Sequence, residues 1–199
     1  MSENQIIQKL ISRRAGVDSN KIRKGALNDN EAQKVTLAAM EIADLPIDIN
    51  TRARTIEQIE IYARKLKNKE NLGLLIIDYI QLVKSKGKFN SREQEVAEIT
   101  RTLKLLSLEL KIPVIGLCQL NRNASRNEPT LADLRESGAI EQDADNVIFL
   151  YKERENQSDE ETTSENIVVD LQKQRAGGLT KVTLKFVKTF SEFRNLVRR

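Results

Sequence analysis

The stretch LGLLIIDYIQL, residues 72–82, constrains the fold more than any other. Leu72 to Ile77 carry no charge, and the run ends on a carboxylate, Asp78. An apolar run without polar alternation is a strand covered on both faces, as in a parallel sheet. PVIGLC (113–118) and NVIFLY (146–151) repeat the pattern. Segments of helical periodicity lie between them, and strands alternating with helices make an α/β fold.

The helices carry their own boundary signals. Thr55 and Gln58 form a capping box ahead of the stripe Ile56, Ile59, Ala63 and Leu66. Ser91 and Gln94 form a second one. It opens a long helix to Leu110, in which Val96, Ile99, Leu103, Leu106 and Leu110 recur at spacings of three and four. Upstream, helices are expected from Glu3 to Arg14, behind Asp18, and from Asn28 or Asn30 to Leu45. PIDIN (46–50) reads as a short strand and LADLRES (131–137) as a short helix. Residues 152–166 are an acidic loop. IVVDLQKQ and KVTLKFV flank RAGGLT as a hairpin with Gly177 and Gly178 at its turn. The expected architecture is one domain over 1–199. A helical segment (1–45) precedes an α/β core (46–151), and the acidic loop and carboxyl-terminal strands (152–199) follow.

Composition removes several chemistries. The chain has no His and one Cys, Cys118, so Ser-His and Cys-His catalysis, His metal sites and internal disulfides are excluded within it. No apolar run approaches the roughly 20 residues of a membrane span, and a cytoplasmic protein is expected. A net charge of +4 permits a polyanionic partner.

In open parallel sheets, ligands bind beyond the carboxyl ends of the strands. Asp78 ends one strand and Gln119 follows another. A carboxylate there can hold hydrated Mg2+ on a nucleotide. A neighbouring Gln amide can donate to a phosphate or accept from a water. Taken alone, Asp78 better suits a strand leaving the core for a turn. Lys84, Lys86, Lys88 and Arg92 follow the first strand, and Arg122, Arg126 and Arg135 the second, a distribution suited to phosphates or to solvent. Lys173 and Arg175 alternate with Gln174 and share one strand face near the hairpin tip. Such a pair suits an arginine finger or a charged edge that blocks sheet aggregation. Cys118 reads as a small core residue, and Asp143 and Asp145 as loop-capping acids rather than metal ligands.

Together LLIIDYIQL, SREQEVAEITRTLKLLSLELKIPVIGLCQLNR, LADLRESGAIEQDADNVIFLYKER and LQKQRAGG resemble, in this order, the DnaB-type replicative DNA helicases. The resemblance implies a RecA-like ATPase fold, with a mostly parallel sheet flanked by helices and a carboxyl-terminal β-hairpin. It implies that Asp78 orients Mg2+ on ATP and that Gln119 senses its phosphate. It assigns Lys173 and Arg175 to a neighbouring subunit's ATP. Arg135, Glu136 and Gly138 would grip single-stranded DNA, beside Arg122, Lys84 and Lys86. A homo-hexamer moving 5′ to 3′, with primase and a helicase loader as partners, is implied as well. The family's hairpin usually has Asn where Ala176 stands and Pro where Gly178 stands, which bears on turn shape rather than on the cations.

No G-x-x-x-x-G-K-S/T occurs among the 199 residues. In the family that loop precedes the matched segment, and it supplies the convergent N–H groups and the cation that hold the phosphates. The chain alone is therefore expected to turn over no ATP and to expose apolar strand surface. The rival expectations are a non-enzymatic module that caps a partner helicase with Lys173 and Arg175, and a recombinase-like ATPase of the same fold.

Overall fold

The computed structural model describes residues 2–120, 128–153 and 163–196, and of 135–137 the backbone. In chain order the elements are α1 (Glu3–Ala15), α2 (Ser19–Lys24), α3 (Asp29–Ala43), α4 (Ile56–Glu70), β1 (Leu75–Ile77), α5 (Arg92–Leu110), β2 (Val114–Gly116), α6 (Gly138–Asp143), β3 (Asn146–Lys152), β4 (Ser164–Gln174), β5 (Thr180–Val187) and β6 (Glu192–Asn195). Short 3₁₀ segments span Ile80–Leu82, Leu131–Ser137 and Lys188–Phe190. β1 pairs with β2, and β3, β4, β5 and β6 form a four-stranded sheet in that order. The chain resolves into two compact units, Arg52–Phe149 with Leu171–Thr180, and Met1–Thr51 with Leu150–Asp170 and Lys181–Arg199.

The unit built on Arg52–Phe149 is organised by α5. Its expected stripe is buried in full: Val96, Ile99, Leu103, Leu106 and Leu110 are all core residues. Ile99 is completely buried, in a cluster with Ile56, Ile77, Ile80, Val83, Val96, Leu103 and Ile140. Arg64 of α4 grips both carboxylate oxygens of Glu109 of α5 at 2.8 Å. The capping box at Thr55 closes in both directions. At Ser91 the expected reciprocity fails. Ser91 Oγ accepts from the Gln94 amide at 3.3 Å, but Gln94 Oε1 accepts from the amide of Asn90 at 3.0 Å, one residue earlier. A Gln side chain is long enough to reach past the cap.

β1 and β2 are parallel, with Leu75 opposite Val114 and Ile77 opposite Gly116. The expected third parallel strand does not join them among the described residues. β3 belongs to the other sheet, with Val147 and Phe149 buried while Ile148 and Leu150 are each 56% exposed. An apolar run fixes a strand but not its partner. Leu74, Ile76, Ile115 and Leu117 are likewise exposed, so β1 and β2 carry apolar side chains without cover among the described residues.

In the other unit, α1, α2 and α3 are capped by Ser2, Asp18 and Asn28. Ser12 is fully buried and its hydroxyl donates to the Val17 carbonyl at 2.6 Å. PIDIN is not a strand; a short apolar segment without a ladder partner stays irregular. β5 and β6 are antiparallel, and Phe186 and Phe193 meet at 4.8 Å between ring centroids. Asp170 of β4 is 2% exposed and pairs with Lys181 at 3.1 Å.

Candidate functional site

The parallel pairing brings the carboxyl ends of β1 and β2 side by side, so Asp78 and Gln119 leave the same end of one sheet. The ladder continues one step further: the Leu117 amide donates to the Ile77 carbonyl at 2.9 Å, and the Ile80 amide to the Leu117 carbonyl at 2.9 Å. Asp78 is exposed and makes no hydrogen bond or ion pair among the described residues. Those residues contain no cluster of three or more metal-binding side chains. One free carboxylate fits Mg2+, which keeps several waters and takes phosphate oxygens as its other ligands. It does not fit a cation that needs a full protein cage.

A residue that sequence reasoning passed over holds this end together. Gln81, in the 3₁₀ turn, donates from Nε2 to the Gln119 carbonyl at 3.0 Å and accepts at Oε1 from the Gln119 amide at 3.3 Å. The same Nε2 lies 3.3 Å from Cys118 Sγ. One side-chain amide thus fixes the Gln119 backbone from both sides, as a strand would. Burial pushes the Cys118 thiol up, with the Gln81 contact opposing. The one sequence signal was a polar residue lodged between Ile80 and Leu82. Gly116 opposes this turn: a Cβ there would sit 2.5 Å from Ile80 Cδ1.

The first basic loop is tethered rather than loose. Thr55 and Lys84 form a parallel bridge. The Lys86 amide donates to Glu57 Oε1 at 3.0 Å, and the Ser85 amide donates to Glu95 Oε1 at 3.0 Å. The Lys86 amide is the main reason the Glu57 carboxyl lies below its ordinary range, and the Ser85 amide does the same for Glu95. Both acids sit in the first turn of a helix, where negative charge is favoured. The Lys84 and Lys86 side chains remain exposed.

Arg122 and Arg126 lie outside the described residues, as do the side chains of Arg135 and Glu136. The backbone of 131–137 forms a 3₁₀ segment that begins at Thr130 and ends at exposed Gly138, the first residue of α6. Lys173 and Arg175 meet the other end of α6. Lys173 Nζ donates to the Glu141 carbonyl, and Arg175 Nη2 donates to the Gln142 carbonyl at 3.2 Å. Asp145 does not cap a loop. Its Oδ2 takes Lys104 Nζ at 2.5 Å and its Oδ1 takes Arg175 Nη1 at 3.0 Å. These cations, Lys104 foremost, hold the exposed Asp145 carboxyl below the usual carboxylate range against a smaller desolvation cost. Asp143 accepts from Thr100 Oγ1 at 2.9 Å.

The family model described as DnaB-like helicase C terminal domain matches residues 1–195. The replicative DNA helicase DnaC of Bacillus subtilis is 38% identical over the whole of this chain, which covers 45% of that protein. The replicative DNA helicase DnaB of Geobacillus stearothermophilus is 37% identical with the same coverage. The chain thus spans about half the length of these relatives. Among solved structures, a DnaB-like replicative helicase, described with its interactions with primase, superposes with a TM-score of 0.89 at 31% identity, over 99% of this chain and 49% of that one. A second solved structure, of an ATPase domain, gives 0.89 and 31% over 99% of this chain and 72% of its own.

Proposed function

The chain belongs to the DnaB-like helicase C-terminal domain family, and on that premise we propose that it is the carboxyl-terminal part of a hexameric replicative helicase that couples ATP hydrolysis to 5′–3′ movement on single-stranded DNA. One observation carries the reading. Asp78 and Gln119 leave one end of a parallel pair, and the Asp78 carboxylate is free for a metal among the described residues.

In this proposal Asp78 would hold Mg2+ on the nucleotide, and the Gln119 side-chain amide would donate to a phosphate of ATP. When bound, the ion would neutralise charge on the phosphates. The Gln81 amide keeps Gln119 from swinging away. Lys173 and Arg175 offer their charge to an ATP held by the next subunit. Arg135, Glu136 and Gly138, with Arg122, Lys84 and Lys86, follow the DNA backbone, where contacts position the strand without reading bases. Primase and a loader are the expected protein partners. The 199 residues contain no G-x-x-x-x-G-K-S/T to hold the phosphates, and no ATP turnover is expected of them alone.

A graft tests the proposal. This chain replaces the matching segment of the Bacillus subtilis relative, and ATP turnover is measured with and without single-stranded DNA. Turnover stimulated by DNA and lost on Asp78→Asn is expected. A graft that assembles and hydrolyses ATP equally well with Asn at 78 refutes the assignment.

A further inference from the structure

Lys173 and Arg175 are held within their own chain. The last carbonyls of a helix have no intrahelical donor, and these two cations occupy them at α6. Lys173 Nζ donates to the carbonyl of Glu141 and, at 3.5 Å, to that of Gln142; Arg175 Nη2 shares the latter at 3.2 Å. The Arg175 amide donates to the Asp145 carbonyl at 3.0 Å, and its Nη1 pairs with Asp145 Oδ1 at 3.0 Å. Asp145 divides its oxygens between Arg175 and Lys104 of α5.

α6 has six residues, so it is a rod of about 9 Å. The segment proposed to follow DNA enters at its first residue, and the cation pair grips its last turn. A displacement at one end has little slack to absorb it before the other.

We infer that Asp145 is a positioning residue: with the terminal carbonyls of α6 it sets the direction of Lys173 and Arg175, making α6 the mechanical link between the 130–138 segment and that pair. The inference rests on the proposed roles of those segments, but its test does not require them. A purely structural Asp145 would anchor α5 through Lys104 and leave Arg175 indifferent.

Nuclear magnetic resonance on the 15N-labelled chain separates the two. Rotation of the Arg175 guanidinium is slow while Nη1 and Nη2 are both engaged. Asp145→Asn is expected to speed it about two- to fivefold, as befits the loss of a half-exposed ion pair, and to shift the Gly138 amide signal. Asp145→Glu restores slow rotation, and Lys104→Met leaves it unchanged. Fast rotation in the unaltered chain, no response to Asp145→Asn, or loss of slow rotation in Lys104→Met overturns the inference. Should Asp145→Asn fail to fold, the Glu and Lys104→Met variants still decide. An inactive graft would count against the proposed function and leave these signals where they are.

Discussion

Replacing Ile99 by Ala tests the packing that presents the site. Ile99 is 0% exposed and touches the cluster that contains Ile77 and Ile80, the residues on either side of Asp78 and Tyr79. The change removes three carbons from the core, about 2.4 kcal/mol of transfer free energy, and the residual cavity raises the total to about 3 kcal/mol. For a chain of this size that is a fall in melting temperature of about 6–12 °C. Leu108 of the same helix is 61% exposed, and Leu108→Ala is expected to stay within about 0.5 kcal/mol. Circular dichroism melts of the two variants at equal concentration give the comparison. Amide exchange at Leu117, whose donor bond to Ile77 crosses β1 and β2, should quicken in Ile99→Ala alone. Equal melting shifts for the two variants would refute the view that α5 holds the strand ends in place.

Acid should loosen the first basic loop. Glu57 and Glu95 have folded pKa values below their ordinary 4.5, so the stability they contribute is full above 4.5 and lost as pH falls through the depressed values. Glu57→Gln should flatten the decline of the urea midpoint in that acid range; an unchanged decline contradicts the tether. Gln81→Ala should leave stability within about 1 kcal/mol, since water replaces its bonds at the exposed Gln119. It should nevertheless speed exchange of the Gln119 amide, and a Gln119 amide as protected as before would show that Gln81 clamps nothing.

The features legible in the sequence were local ones. The caps at Thr55, Asp18 and Asn28 and the stripe of α5 depend on residues two to four apart, and they stand where spacing puts them. The adjacency of Asp78 and Gln119 followed from strand character and the rule for parallel sheets. Pairings between distant residues were not legible. Nothing in NVIFLY says which sheet it joins, and nothing in EQDADN says that Asp145 meets Lys104, forty-one positions away. Gln81 was hidden for a related reason: its partners lie thirty-eight positions on, across a turn that no hydrophobic period announces.

The missing side chain at Gly116 has a wider reach than its size suggests. Ile80, whose tip fills that space, is 4% exposed and packed into the cluster around Ile99. It has nowhere cheap to retreat. An extra methyl on β2 would lift the turn that follows Asp78 and draw the Gln81 amide off its two anchor points. Position 116 therefore has room for little more than a hydrogen, and any bulkier substituent would be felt first as a wandering glutamine three residues downstream.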